Sequence, residues 1–291
     1  MKGMWQKWME AAAFAGLLLL GCSGAAAQYG QSSQNPPTPP QQQTDKKPAG
    51  DTLTLDTPAP PVNAEEDAAF KAFDTTPMTD LNKKIQLGEE FLQKYPQSRY
   101  RPPVYSTLTH AYLQSNNVPK MQEVGEKEIE LNPNDVQVLA ILGQTIPRSI
   151  NSKTPNIPEQ LDKAEKYSKS AIELTPTISK PANLTDEQFT MAKNQTLAMA
   201  HSGLGLVYFR RGKFAEAIPE LEQSLKIDPS PDQDPVNYYV LGISDEKASH
   251  FDDAVAAFNK CAAISGSLQA SCKSLAEDAK KRAATELSAP K

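Results

Sequence analysis

The 291-residue chain is short of what most catalytic and membrane proteins need. Its N-terminal apolar run, Ala11 to Leu20, falls well below the ~20 residues that cross a bilayer as a helix. It contains no phosphate-binding Walker loop, no HExxH, no Cys-x-x-Cys and no nucleophile elbow. The three histidines, His110, His201 and His250, lie far apart. Metal binding needs converging ligands, so no metal or other cofactor is expected. Nor is there an excess of positive charge: 30 Lys and Arg stand against 35 Asp and Glu, a formal net charge of −5. Nucleic acid is therefore disfavoured as the main partner, because phosphate binding needs a concentrated basic face. No segment reads convincingly as a strand, so the chain is expected to be all-α.

What the N-terminus does carry is the pattern of an export signal. Lys2 and Lys7 precede the short apolar run. Two exits compete. Ala25-Ala26-Ala27 fits cleavage after a small residue, giving a signal peptide of residues 1–27. Leu19-Leu20-Gly21-Cys22 resembles a bacterial lipobox, which would remove residues 1–21 and make Cys22 the lipidation candidate. Either exit implies an exported, periplasmic protein. The second adds a lipid anchor, with Ser23 after the cysteine favouring the outer membrane by analogy.

Residues 28–63 are rich in Pro, Gln, Ser and Thr and have no apolar period, so they are expected to form a disordered linker. Removal or lipidation of Cys22 leaves Cys261 and Cys272 as an even pair in an oxidising compartment. Gly266 stands five residues after the first and six before the second. A hairpin turning there brings the two opposite each other, making them a disulfide candidate; two buried thiols are the alternative.

From Ala64 onward the apolar pattern is helical. In Ala198–Pro229, Leu204, Gly205 and Tyr208 fall on a first helix and Ala217, Leu221 and Ser224 on a second, before Pro229. This resembles one tetratricopeptide (TPR) repeat. Weaker copies follow the same pattern: Tyr105, Leu108, Thr109 and Tyr112; Leu139, Leu142 and Gly143; Tyr238, Leu241 and Gly242. Thr109 and Gly143 stand 34 positions apart, the period of the family. Such a hairpin cannot bury its own apolar face and must stack on copies of itself.

The resemblance implies a TPR-like helical-hairpin solenoid, a right-handed superhelix. Its units run about 64–97, 102–133, 136–176, 198–229 and 235–266, with a capping helix over 267–286 in a domain of 64–288. The run FLQKYPQSRYRPPVYSTLTHAYL is similar to TPR units of exported bacterial envelope proteins, including lipoproteins.

Three departures from the pattern stand out. Surplus residues near NSKTPNIPEQ imply a long loop inside the second full unit. The segment between Pro176 and Ala198 is expected to interrupt the stacking, with Thr185 capping a helix that runs on into the next unit. Asp245 replaces a large residue and implies looser packing. Glu123, Glu126 and Glu128 read as solvated helix faces, His201 as a packed side chain and His250 as an exposed turn residue.

Function, on this reading, resides in the groove lined by first helices. The resemblance places His110, Gln144, Leu206, Phe209, Tyr239 and Ile243 among the peptide-groove candidates. The lysine–asparagine clamp of chaperone-binding TPR domains is missing. The expectation is a non-catalytic envelope scaffold that binds a protein or peptide partner. The alternative is a structural protein that self-associates as a homo-oligomer.

Overall fold

The computed structural model describes residues 63–228, 230 and 233–287. The candidate lipidation site Cys22, the signal peptide and nearly all of the expected linker lie outside the described residues, as does Pro229. Among the described residues there are eleven α-helices and no strand. They are α1 (Ala64–Thr75), α2 (Leu81–Lys94), α3 (Arg101–Gln114), α4 (Val118–Leu131), α5 (Val136–Ser149), α6 (Ile157–Leu174), α7 (Asp186–Arg210), α8 (Phe214–Ile227), α9 (Pro235–Lys247), α10 (Phe251–Ala263) and α11 (Gln269–Leu287). Among the described residues no helix is long and apolar enough to cross a membrane.

Local chemistry sets the helix starts. Asn63, Asp80, Asn117, Asp135 and Asp234 each accept a bond from an otherwise unpaired backbone N–H in the first turn of the helix that follows. Thr185 and Gln188 form a reciprocal capping box at the start of α7, 3.1 Å and 3.0 Å. Proline in the first turn of α3, α4, α6 and α9 costs no intrahelical bond.

The turns between paired helices share a device. Asn116, Gly212 and Ser249 each adopt a left-handed conformation, with φ of 56°, 72° and 64°. Only one of the three is glycine.

The helices pair as α1–α2, α3–α4, α5–α6, α7–α8 and α9–α10, and α11 closes the end. Side-chain volume is matched across several of these pairs. A Cβ at Gly205 of α7 would lie 2.7 Å from Leu221 Cγ of α8, and one at Gly242 of α9 would lie 2.7 Å from Phe258 of α10. In the α3–α4 pair the sizes are exchanged: Thr109 stands on the first helix and faces Gly125 on the second. In the α5–α6 pair both partners are small, Gly143 and Ser168.

Stacking of pairs builds two main cores. The larger includes Phe73, Phe91, Leu108, Met121, Leu142, Ile146 and Val207; the other includes Leu206, Leu221, Leu241 and Ala257. Each large apolar side chain fully buried in this way contributes about 2 kcal/mol against unfolding.

Three expectations need correction. The segment before Ala198 does not interrupt the stack. From Asp186 on, after the Thr185 cap, it forms the first turns of a continuous 25-residue α7. That helix lies directly on α5, and a Cβ on Gly203 would sit 2.6 Å from the backbone carbon of Gly143. Glu128 is not solvated. It is 1 % exposed on α4, beside Asn132 and Asp135 at the turn into α5. Asp245 does not leave an open position, being 3 % exposed.

The surplus residues after α5 do form a loop, 150–156, which ends on left-handed Asn156. Cys261 of α10 and Cys272 of α11 are joined as a disulfide with Cα atoms 5.9 Å apart.

Candidate functional site: the face of the first helices

Helices α3, α5, α7 and α9 are the first members of their pairs, and their shared face carries the candidate residues. Packing closes part of it. His110 is buried on α3, and its Nδ1–H donates to the Ser106 carbonyl at 2.9 Å. Gln144 of α5 is buried, as is Leu206 of α7, which packs in the second core. These three side chains have little surface to offer a partner. Phe209, Tyr239 and Ile243 are half-buried. Phe209 meets Phe214 of α8 edge-on, with centroids 5.9 Å apart. Tyr239 and Val236 rest on the second core, and Ile243 rests on the cluster of Ala254, Phe258, Ala276 and Ala279 under the cap.

The three open residues therefore stand on α7 and α9, both braced from behind. Fixed aromatic and aliphatic side chains lose little entropy on binding, which suits them to anchor a partner.

A polar network crosses this face. Arg148 ends α5 and reaches past α7 to α9. Its Nη2 donates to Ser202 Oγ at 3.2 Å and to Asn237 Oδ1 at 3.3 Å, and its Nη1 pairs with Asp234. Ser202 Oγ donates to Asn237 Oδ1 at 2.7 Å. Asn237 Nδ2 donates to Ser224 Oγ at 3.3 Å, and Ser224 Oγ donates to the Ala198 carbonyl at 2.7 Å. Three successive first helices are thus tied by one guanidinium, whose planar fork serves several acceptors at once.

Nearby, Arg210 Nε donates to the Pro147 carbonyl at 3.1 Å. Arg211 is bound to Asp162 and Glu165 of α6. The exposed part of Arg210 and the exposed Lys213 leave positive charge beside Phe209.

Sequence reasoning missed this brace. Arg148 and Asn237 are 89 positions apart, and neither belongs to a repeating pattern. It also missed Lys84, a buried lysine on α2. Its Nζ donates to the carbonyls of Phe73, Asp74 and Thr76, so it caps the end of α1. Burial holds its pKa below the usual lysine value. The partners of two histidines are plain in the structure. His201 lies 2.6 Å from Glu220 Oε2, and exposed His250 precedes α10. Among the described residues no group of three His, Cys, Asp or Glu side chains is arranged to hold a metal ion.

The fold is a TPR-like solenoid of helical hairpins with a C-terminal capping helix. Residues 198–231 match the tetratricopeptide repeat family, in the segment where the sequence pattern is strongest. No curated protein matches the chain.

Several solved structures are similar. PilW, described as a widely conserved type IV pilus biogenesis factor, is 16 % identical with a TM-score of 0.49; the match covers 77 % of this chain and 88 % of PilW. The MamA protein is 19 % identical with a TM-score of 0.46, over 67 % of this chain and 89 % of its own. A thermophilic TPR protein of Thermus thermophilus is 18 % identical with a TM-score of 0.43, over 74 % and 98 %.

Proposed function

We propose that this protein is a non-catalytic scaffold of the bacterial cell envelope that holds a protein or peptide partner on its first-helix face and assists assembly of an outer-membrane or cell-wall complex. One observation carries the binding reading: Phe209, Tyr239 and Ile243 are partly open on helices that a polar brace and a packed core hold rigid. The envelope assignment draws on the export-like N-terminus. The Cys261–Cys272 disulfide is consistent with an oxidising compartment. Cys22 is the candidate point of attachment to a membrane.

The test is capture of partners from cross-linked envelopes with tagged full-length protein, beside a Phe209→Ala, Tyr239→Ala double variant. Loss of two aromatic anchors is expected to reduce recovery of a defined partner set by about 30-fold, on the order of 2 kcal/mol, with helical content unchanged by circular dichroism. Equal recovery by both proteins would sink the assignment of this face. Recovery of only the bait, in cross-linked multiples, would replace the adaptor reading with self-association.

A further inference from the structure

Asp245 is a carboxyl group where the packing offers it little support. It lies in the last turn of α9, the end of the helix where exposed carbonyls disfavour negative charge. Its own carbonyl accepts the N–H of Ala248 at 3.1 Å and of His250 at 2.8 Å, which closes the helix end. Helix α9 packs on α8 and α10, and the Asp245 side chain is nearly removed from water.

The ionisable groups facing it are mostly of the wrong sign. Glu222 on α8 and Asp253 on α10 both oppose ionisation. His250 lies at 3.9 Å from Nδ1 to Oδ1, and its ring is largely in solvent. The adjacent Glu246 is already bound to Arg282 of the cap. Burial first, then the two acids, push the Asp245 carboxyl up to about 7.

We propose that Asp245 is a proton-operated latch on the C-terminal unit: the protonated carboxyl lets α9 close against α8 and α10, and its ionisation loosens that contact. The sign follows from linkage. An unfolded aspartate titrates near 3.9, so between that value and about 7 the folded state holds more protons than the unfolded one. The stabilisation is complete below about pH 4 and disappears by about pH 7. Tyr239 and Ile243 stand on the same helix, so the latch would also regulate the proposed binding face. That coupling rests on the functional reading above; the latch itself does not.

Hydrogen–deuterium exchange of residues 235–263, corrected for intrinsic chemical rates, reads the latch without any partner. Protection in the wild-type protein is expected to fall more than about tenfold between pH 5 and pH 8. Asp245→Asn mimics the protonated side chain and is expected to flatten that dependence. Asp253→Asn removes a facing charge and is expected to move the midpoint to lower pH. Glu128→Gln serves as a control, because Glu128 is also buried, beside Asp135, with its carboxyl pushed up to about 9. That variant is expected to leave exchange in 235–263 unchanged. A flat wild-type profile would overturn the proposal, as would an Asp245→Asn protein with the wild-type profile. If Asp245→Asn does not fold, the carboxyl-carbon titration of Asp245 by NMR decides instead: a midpoint near 7 supports the latch and one near 4 rejects it.

Discussion

Where α5 meets α7, little more than hydrogen separates the two backbones. Gly203 lies over Gly143, and the small Ser168 of α6 completes the three-way contact. Ser168 Oγ is buried there without a hydrogen-bond partner. Where α9 meets α10, by contrast, the glycine side is filled by Phe258, one of the largest fully buried side chains. That unit also contains a buried carboxyl, and a disulfide fastens it to α11. The first junction is held by close approach and tolerates no added volume. The second is held by a bulky plug, with a covalent tie from α10 on to the cap, and it tolerates a titratable group. One repeat pattern can therefore be stabilised in two ways, and the two ways fail differently.

The largest expected break is Gly203→Ala. Its methyl group would meet backbone atoms of Gly143 at 2.6 Å and 2.7 Å, and backbone has no rotamer to escape into. Overpacking of this kind costs about 3 kcal/mol, measurable as a lower urea midpoint. A loss below about 1 kcal/mol would mean that the α5–α7 crossing opens easily. Next comes Cys272→Ser. The bond spans 11 positions, and opening so short a loop is expected to remove about 2 kcal/mol. Exchange or proteolysis should then show α11 released before the rest of the chain; simultaneous release of all helices would contradict the contrast. The smallest effect, and a gain, is expected of Ser249→Gly. Ser249 occupies the left-handed conformation that Gly212 occupies in the preceding unit. Relief of that strain is expected to add about 1 kcal/mol to the C-terminal unit, seen as a higher thermal midpoint.

The hairpins were legible because their signals are local and repeat. Gly205 with Leu221, and the Thr185–Gln188 capping box, lie close together in the chain, and each follows a general rule of helix chemistry. The candidate face was only partly legible. The spacing that places Phe209 and Tyr239 on an open surface places His110 and Leu206 there too, yet neighbouring helices bury the latter pair. The Arg148 brace and the capping of α1 by Lys84 had no sequence signal, since each depends on which helix ends packing brings together.

Composition and periodicity thus determined by themselves that this chain forms stacked helical pairs. Helix propensity, capping and the 34-residue recurrence act over one or two hairpins and need no distant partner. Tertiary structure alone decided which polar groups stay in water. Glu128 looks like its neighbours Glu123 and Glu126, and Asp245 looks like a defect in the pattern. Both became buried acids because of how the adjacent helices fold back over them, which the local pattern does not state. Desolvation depends on everything that surrounds a group, and a linear sequence does not contain that arrangement.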